Sequence, residues 1–446
     1  MNERAQPPRH GLHIGTDADV TNVLADGHRV TIINAHRPPV ELCAPDEDIA
    51  LILAKMARRP VAEAVLRRHR ASHLIFAMLD VLCEQMLVSW SAFEEGGAAI
   101  TIASRSENFR FDYAPPPVGR LVLSRFALMR RANDRAVLES SETAARVTFA
   151  ADADKALARL WSGISHDTPL ACGLWGAGFL EVADAHESNA RKSWEFHDHL
   201  FHAHSSGVFD REVSGATHPQ RGTLPPPARK PEMPGERVEL PPVQQLGAGG
   251  SPLHETVKRR RSMREPGARP LSLPELGQFL WRTSRTLPSP PDGQEERLRR
   301  PYPSAGALHE LECYVVNNRC QAISRAIFHY NGFHHVLTQM ACTGEAAERI
   351  VAVSARVMGG VRPPDVVIVV TSRMPRVSWK YGKIAYRLTL LNAGVLLQTM
   401  ALTATDMGLA GCPNGLGDYH AFQLAAGLDR WEEVAVAAFA LSGAPA

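Results

Sequence analysis

Lysine is scarce in this chain: it supplies seven of the 49 basic residues, and arginine supplies the rest. Each lysine is therefore worth locating. The chain also has little net charge. With Asp+Glu at 47 the balance is only +2, which excludes a strong sequence-independent pull towards nucleic acid or anionic lipid. Paired cysteines are missing. The seven present are scattered, odd in number and without a CxxC spacing, which argues against a disulfide framework or a cysteine zinc site and fits a reducing cytoplasm. No apolar run reaches the roughly 20 residues of a bilayer span: Asp80 and Glu84 interrupt HLIFAMLDVLCEQMLVSW. The opening residues, MNERAQPPRHGLH, lack the apolar core and cleavage site of a secretory signal. A cytoplasmic protein with no membrane or nucleic-acid partner is the expectation.

What is present is ordinary for a globular protein: 45% hydrophobic and 22% charged residues over 446 positions, enough for about three domains. One boundary stands out. Nine of the 35 residues in 218–252 are proline and apolar periodicity vanishes there, so this reads as an extended linker. Before it, two α/β modules are expected, 1–110 and 111–217. In each, helices and a β-hairpin suggest a winged-helix-like unit, with Asn133 and Asp134 suiting a tight turn. After it, residues 253–446 read as an α+β domain of helices enclosing a mixed sheet. Its centre is the β-branched run PDVVIVVTS at 364–372, and a long apolar helix is expected over 386–408.

Five segments carry chemistry. Residues 258–264 read KRRRSMR, a set of forks suited to an anion such as phosphate, or simply a solvated basic face. Residues 300–308 read RPYPSAGAL; the small residues let backbone approach a flat ligand, or form an ordinary turn. Residues 378–387 read SWKYGKIAYR and hold two of the seven lysines. Lys380 beside Tyr381 can form an acid/base pair, since a cation lowers a phenol pKa and burial lowers an amine pKa. Residues 408–418 read GLAGCPNGLGD, a glycine-rich approach to a ligand or a connector, without P-loop spacing. Residues 194–204, WEFHDHLFHAH, fit an amphipathic helix better than a metal site, and no metal is expected.

In this order, RRSMR, RPYPSAGAL, KYG with a downstream YR, a long helix and GLAGCPNGLGD, the second half resembles the nitroreductase-like flavoenzymes. Within them it is similar to the SagB-type azoline dehydrogenases, the oxidases of azole peptides such as streptolysin S, microcin and cyanobactin relatives. The first half, with LSRFALMRR, GFLE and WEFHD, is similar to longer members that carry tandem winged-helix, peptide-recognition-like domains. The resemblance implies FMN at a homodimer interface. It places Arg260, Arg261, Ser262 and Arg264 at the phosphate end, Pro303, Ser304, Ala305 and Gly306 along the ring, and Gly415 and Leu416 beside it. The family's catalytic Lys-Tyr pair falls on Lys380 and Tyr381, with either as the base. The implied reaction is oxidation of thiazoline or oxazoline rings in a ribosomally made precursor peptide, with dioxygen as acceptor and a cyclodehydratase as partner. Where members often read tyrosine-proline after the SAGAL stretch, this chain has His309 and Glu310, which puts the local substrate wall in question. Two other readings stay open: an NAD(P)H-dependent nitro or quinone reductase, and a flavin-free scaffold of a peptide-modifying complex.

Overall fold

The computed structural model of the chain describes residues 11–444, apart from 19, 36–37, 95–96, 151–153, 207–214, 221, 224, 243–250, 291–294, 343, 360–361 and 416. The chain divides into two compact units, Met1–Val213 and Ser214–Ala446.

The first unit opens with β1 (Gly11–Thr16) and a three-stranded antiparallel sheet of β2 (Val20–Asp26), β3 (Arg29–Asn34) and β4 (Val40–Cys43). Then come α1 (Glu47–Arg58), β5 (Val61–Ala62), α2 (Glu63–Arg67), α3 (Ser72–Glu84) and the hairpin of β6 (Val88–Glu94) and β7 (Gly97–Ser104). The start of α1 is written locally: Asp46 accepts the Ile49 N–H at 2.8 Å, with acids in the first turn and Lys55 and Arg58 in the last. Beyond lie β8 (Arg120–Leu123), the hairpin of β9 (Ala127–Ala132) and β10 (Arg135–Ser140), and β11 (Ala145–Phe149). The unit closes with α4 (Asp154–Ser162), β12 (Ile164–Ser165), α5 (Pro169–Gly176), β13 (Leu180–Val182), α6 (Asn189–Lys192) and α7 (Phe196–Ser205). The β9–β10 turn is the expected one, with Asn133 at φ 53°.

The two expected modules are not separate. One antiparallel sheet runs β5-β1-β6-β7-β11-β10-β9, and β7 pairs with β11 across the 110/111 boundary, Ile100 opposite Phe149. A single apolar core runs from Leu12 to Leu180. The order of helices and then a hairpin occurs once, in α1 to β7; in the second stretch the hairpin comes before α4 and α5. Local patterns identify β7 and β11 as strands but do not reveal that they pair with each other.

The second unit contains β14 (Arg237–Glu239), α8 (Leu253–Arg259), α9 (Leu273–Ser284), and the short ladder of β15 (Leu287–Pro288) with β16 (Leu298–Arg299). These are followed by β17 (Leu311–Asn317), β18 (Ile327–Asn331), β19 (Val336–Gln339), α10 (Gly344–Met358), β20 (Val366–Arg373) and α11 (Met374–Tyr381). The last elements are α12 (Ala385–Asp406), β21 (Ala410–Asn414), α13 (Tyr419–Ala425) and β22 (Glu433–Ser442). The sheet order is β14-β19-β18-β17-β20-β22-β21. Its ladders are all antiparallel, so the expected mixed sheet is corrected. Every residue of β17 and β20 is buried, because helices cover both faces: α9 and α12 on one, α10 and α13 on the other. Among the described residues, Met374–Asp406 is long and apolar enough to cross a membrane by length and composition. In this fold it is a core element, with Ala393, Leu396 and Met400 packed against the sheet.

The proline-rich stretch expected as an extended linker is bonded to the second unit. The His218 N–H donates to the Lys380 carbonyl, and β14 adds an edge strand to β19. Arg373 donates to the carbonyls of Pro227 and Ala228, and Arg376 to that of Pro226. Lys230 pairs with Glu433. Proline has no N–H, so such a stretch offers mainly acceptors, and arginine offers only donors. Composition showed the extended conformation but not the arginines that bind it.

Candidate active site

Two groups of candidate residues form within the second unit. The first is built where β20 hands over to α11. Pro375 starts that helix, and Gly382 (φ 49°) breaks it from α12. Lys380 lies in the last turn of α11, and its Nζ donates to both carboxylate oxygens of Glu295, at 2.7 and 3.1 Å. Both residues are 8% exposed. Tyr381 lies beside the 303–306 loop. A Cβ on Gly306 would sit 2.6 Å from Tyr381 Oη and 3.2 Å from Lys380 Nζ. Gly306 also has φ 59°, which disfavours a side chain. The structure thus brings together two segments that sequence reading kept apart, 300–308 and 378–387.

The loop is pinned from below. The Ser304 hydroxyl donates to Glu310 and accepts from the His309 N–H and Asn392 Nδ2. The Ala305 N–H donates to Asn392 Oδ1, and Asn392 Nδ2 also reaches Glu310. The Ser304 hydroxyl is therefore used inside the protein, and Pro303 to Gly306 can meet a ligand mainly through backbone. His309 and Glu310, the departure from the family pattern, both point inward: Glu310 is fully buried and His309 nearly so. Burial, with the charges of Arg300 and Arg376 nearby, pushes the His309 imidazole down to about 3, so it is neutral.

The second group joins 260–264 to the glycine-rich segment. That segment is not only a loop: β21 occupies 410–414 and pairs with β22. The Met263 N–H donates to the Gly411 carbonyl, and the Ser262 hydroxyl bonds the Cys412 thiol, which burial raises above its usual pKa. Gly411 is obligatory there, since a Cβ would meet Ala404 and Phe439 at 2.8 Å. Arg260, Arg261 and Arg264 form no ion pair among the described residues; Arg261 Nε only donates to Met263 Sδ. A Cβ on Gly415 would meet nothing within 4 Å. Leu416 lies outside the described residues.

The two groups lie at different levels of α12. Asn392 holds the first and Ala404 abuts the second, twelve residues further on. At 1.5 Å per residue they are about 18 Å apart along the axis.

Glu295, Arg376 and Asn392 were not singled out from sequence, and Glu310 was marked only as a departure from the family pattern. Asn392 carried a signal, as a rare polar residue in an apolar helix. Glu295 lies in a stretch that reads as exposed, so nothing marked it. In the first unit, His199 of the histidine-rich helix α7 bonds Ser141 at 2.6 Å, and no cluster of potential metal ligands occurs among the described residues.

Residues 257–443 match the Nitroreductase family model. This stretch is a nitroreductase family domain. A Methanocaldococcus jannaschii protein carrying a nitroreductase name is 24% identical over 172 residues, 39% of this chain and 80% of that protein. Among solved structures, a Ralstonia eutropha nitroreductase is similar at 20% identity and TM-score 0.38, covering 51% of this chain and 96% of its own. The Escherichia coli microcin synthetase McbBCD complex with truncated pro-MccB17 bound is similar at 20% identity and TM-score 0.34, over 47% and 78%. A Desulfovibrio desulfuricans nitroreductase in complex with FMN is similar at 17% identity and TM-score 0.29, over 44% and 88%.

Proposed function

We propose that the nitroreductase domain is an FMN-dependent dehydrogenase that converts thiazoline or oxazoline rings of a ribosomally made peptide into thiazole or oxazole. The observation that carries this reading is the convergence of Lys380 and Tyr381 on Gly306. It puts a phenol and an amine side chain beside the one residue of the loop that has no side chain.

The residues suit FMN. Arg260, Arg261 and Arg264, unpaired among the described residues, and the Ser262 hydroxyl match a phosphate. Pro303, Ser304, Ala305 and Gly306 offer a backbone wall for a flat ring, and Gly415 would close the other side. Bound FMN supplies a hydride acceptor. The other hydrogen leaves as a proton from the ring carbon that becomes sp², and Tyr381 or Lys380 receives it.

The 18 Å offset between the groups supports a homodimer, in which the phosphate group of one copy faces the 303–306 wall of the other. Tyr386, Leu390, Leu391 and Val395 form an exposed apolar strip along α12, which suits that contact. The first unit would hold the precursor peptide or the cyclodehydratase partner. The sheet ends in β9 and β5, strands that an extended peptide can lengthen. Beside β5 lies a cleft of about 360 Å³ with Leu51, Ile52, Val61 and Val65 among its lining.

The test is an absorption spectrum of the purified protein with the released cofactor identified by mass, followed by incubation with an azoline peptide. FMN and a two-hydrogen mass loss support the reading. Rapid flavin reduction by NAD(P)H without azole formation indicates a nitro or quinone reductase. Failure to bind FMN overturns the flavin chemistry.

A further inference from the structure

We propose that Glu295 is a positioning residue of this site: it holds Lys380 as the ammonium and so leaves Tyr381 as the group that takes the proton. The proposal rests on the dehydrogenase reading and adds a residue to it.

Lys380 Nζ makes a forked contact to the two Glu295 oxygens and both side chains are buried. An ammonium only donates and a carboxylate only accepts. Were Lys380 to give up its proton, Glu295 would be left as a buried charge without its partner, an arrangement that costs several kcal/mol in general. A Lys380 so held has no lone pair for an incoming proton. Its Nζ and Tyr381 Oη both lie within van der Waals reach of the same point above Gly306, and of the two only the phenol oxygen has a lone pair to receive a proton.

Glu295 is itself fixed. The Glu296 carbonyl accepts from Arg376 Nη2 at 2.7 Å, and the Glu296 carboxylate accepts the Ala228 N–H at 2.7 Å. Arg376, one helical turn before Lys380, is 2% exposed and also donates to the Leu308 carbonyl at the end of the loop. The strap at 295–296, α11 and the loop are thereby set against one another. Arg376, near the start of α11, feels Arg373 beside it and the carboxylates of Glu296, Glu295 and Glu310, and Lys383 follows Lys380 in the next turn. Among the described residues, Glu295 is the acid in contact with the Lys380 side chain.

The experiment has two readouts on the full chain. The first does not need turnover. With only seven lysines, ¹³C/¹⁵N-lysine labelling and a Lys380→Met control assign the Lys380 side-chain signal. It stays that of an ammonium to above pH 9 in the parent, and titrates at least one pH unit lower in Glu295→Gln. A parent signal that titrates below pH 8, or one that Glu295→Gln does not move, overturns the proposal. The second is kinetic. Glu295→Gln lowers kcat for the azoline peptide by about 10–100-fold with KM and flavin content unchanged. The loss disappears when Lys380 is already Met, because the carboxylate acts through that lysine; an undiminished loss in that background marks Glu295 as merely structural. Glu295→Asp, which keeps the charge, restores part of the rate and guards against a variant that fails to fold. No azole from the parent protein defeats the dehydrogenase reading and leaves the NMR result to judge Glu295.

Discussion

At the residue scale the site depends on a few side chains with separable tasks. Tyr381→Phe removes the phenol while leaving its ring beside Gly306. Turnover of an azoline peptide should fall about 10²–10⁴-fold with FMN retained, read by mass loss together with the flavin spectrum. His309 makes a prediction about stability. In the folded protein burial, with Arg300 and Arg376, holds its imidazole down to about 3 against an ordinary 6.5. The unfolded chain therefore takes up a proton below about pH 6.5 that the folded one refuses, and stability falls as pH drops from there. His335 is lowered by burial in the same direction. Glu312, held down to about 2, adds its own loss only at more acid pH. Urea unfolding of the parent between pH 7.5 and 5 should show the decline, up to about 1.4 kcal/mol per pH unit for each proton. His309→Leu should flatten it, and an unchanged slope would assign the effect elsewhere.

At the scale of elements, α12 organises the domain. Its apolar face fills the core, Asn392 pins the 303–306 loop, and its far end supports β21 through Ala404. Asn392→Leu leaves Glu310 buried with fewer donors, which should cost about 1–3 kcal/mol and lower the thermal midpoint and kcat together. Elements with strong local signatures were legible in the sequence. The β-branched run at 364–372 is β20, and the long apolar stretch is α12. What was not legible depends on distant partners. The 408–418 segment reads as a ligand approach or a connector because glycine and proline hide the strand β21, and only β22 makes it one. β1, buried across its middle, shows no alternation. Glu295 lies 85 positions from Lys380, and no local pattern links them. The motifs themselves were readable; the bracket of Asn392, Glu310 and Arg376 that aligns them was not.

At the scale of the whole molecule, the exposed strip on α12 is the surface on which the proposed homodimer rests. Leu391, 59% exposed, is its most open member. Leu391→Glu puts a charge into that face at a position outside both groups. Light scattering should report half the parent mass and the flavin should be released, because each cofactor would lose one of its two walls. A parent that is already monomeric and yet retains FMN would refute the shared site.

The arm at 215–242 sets the practical limits of the domain. The family model begins at residue 257, and a fragment started there would look complete by sequence. Such a fragment would strip the edge from β19 and expose its backbone to other chains, an invitation to aggregation. It would also leave Arg373 and Arg376 with buried guanidinium groups facing vanished carbonyls. A fragment started at residue 214 keeps those bonds. Expressed side by side, the longer piece should stay in solution and the shorter one should precipitate.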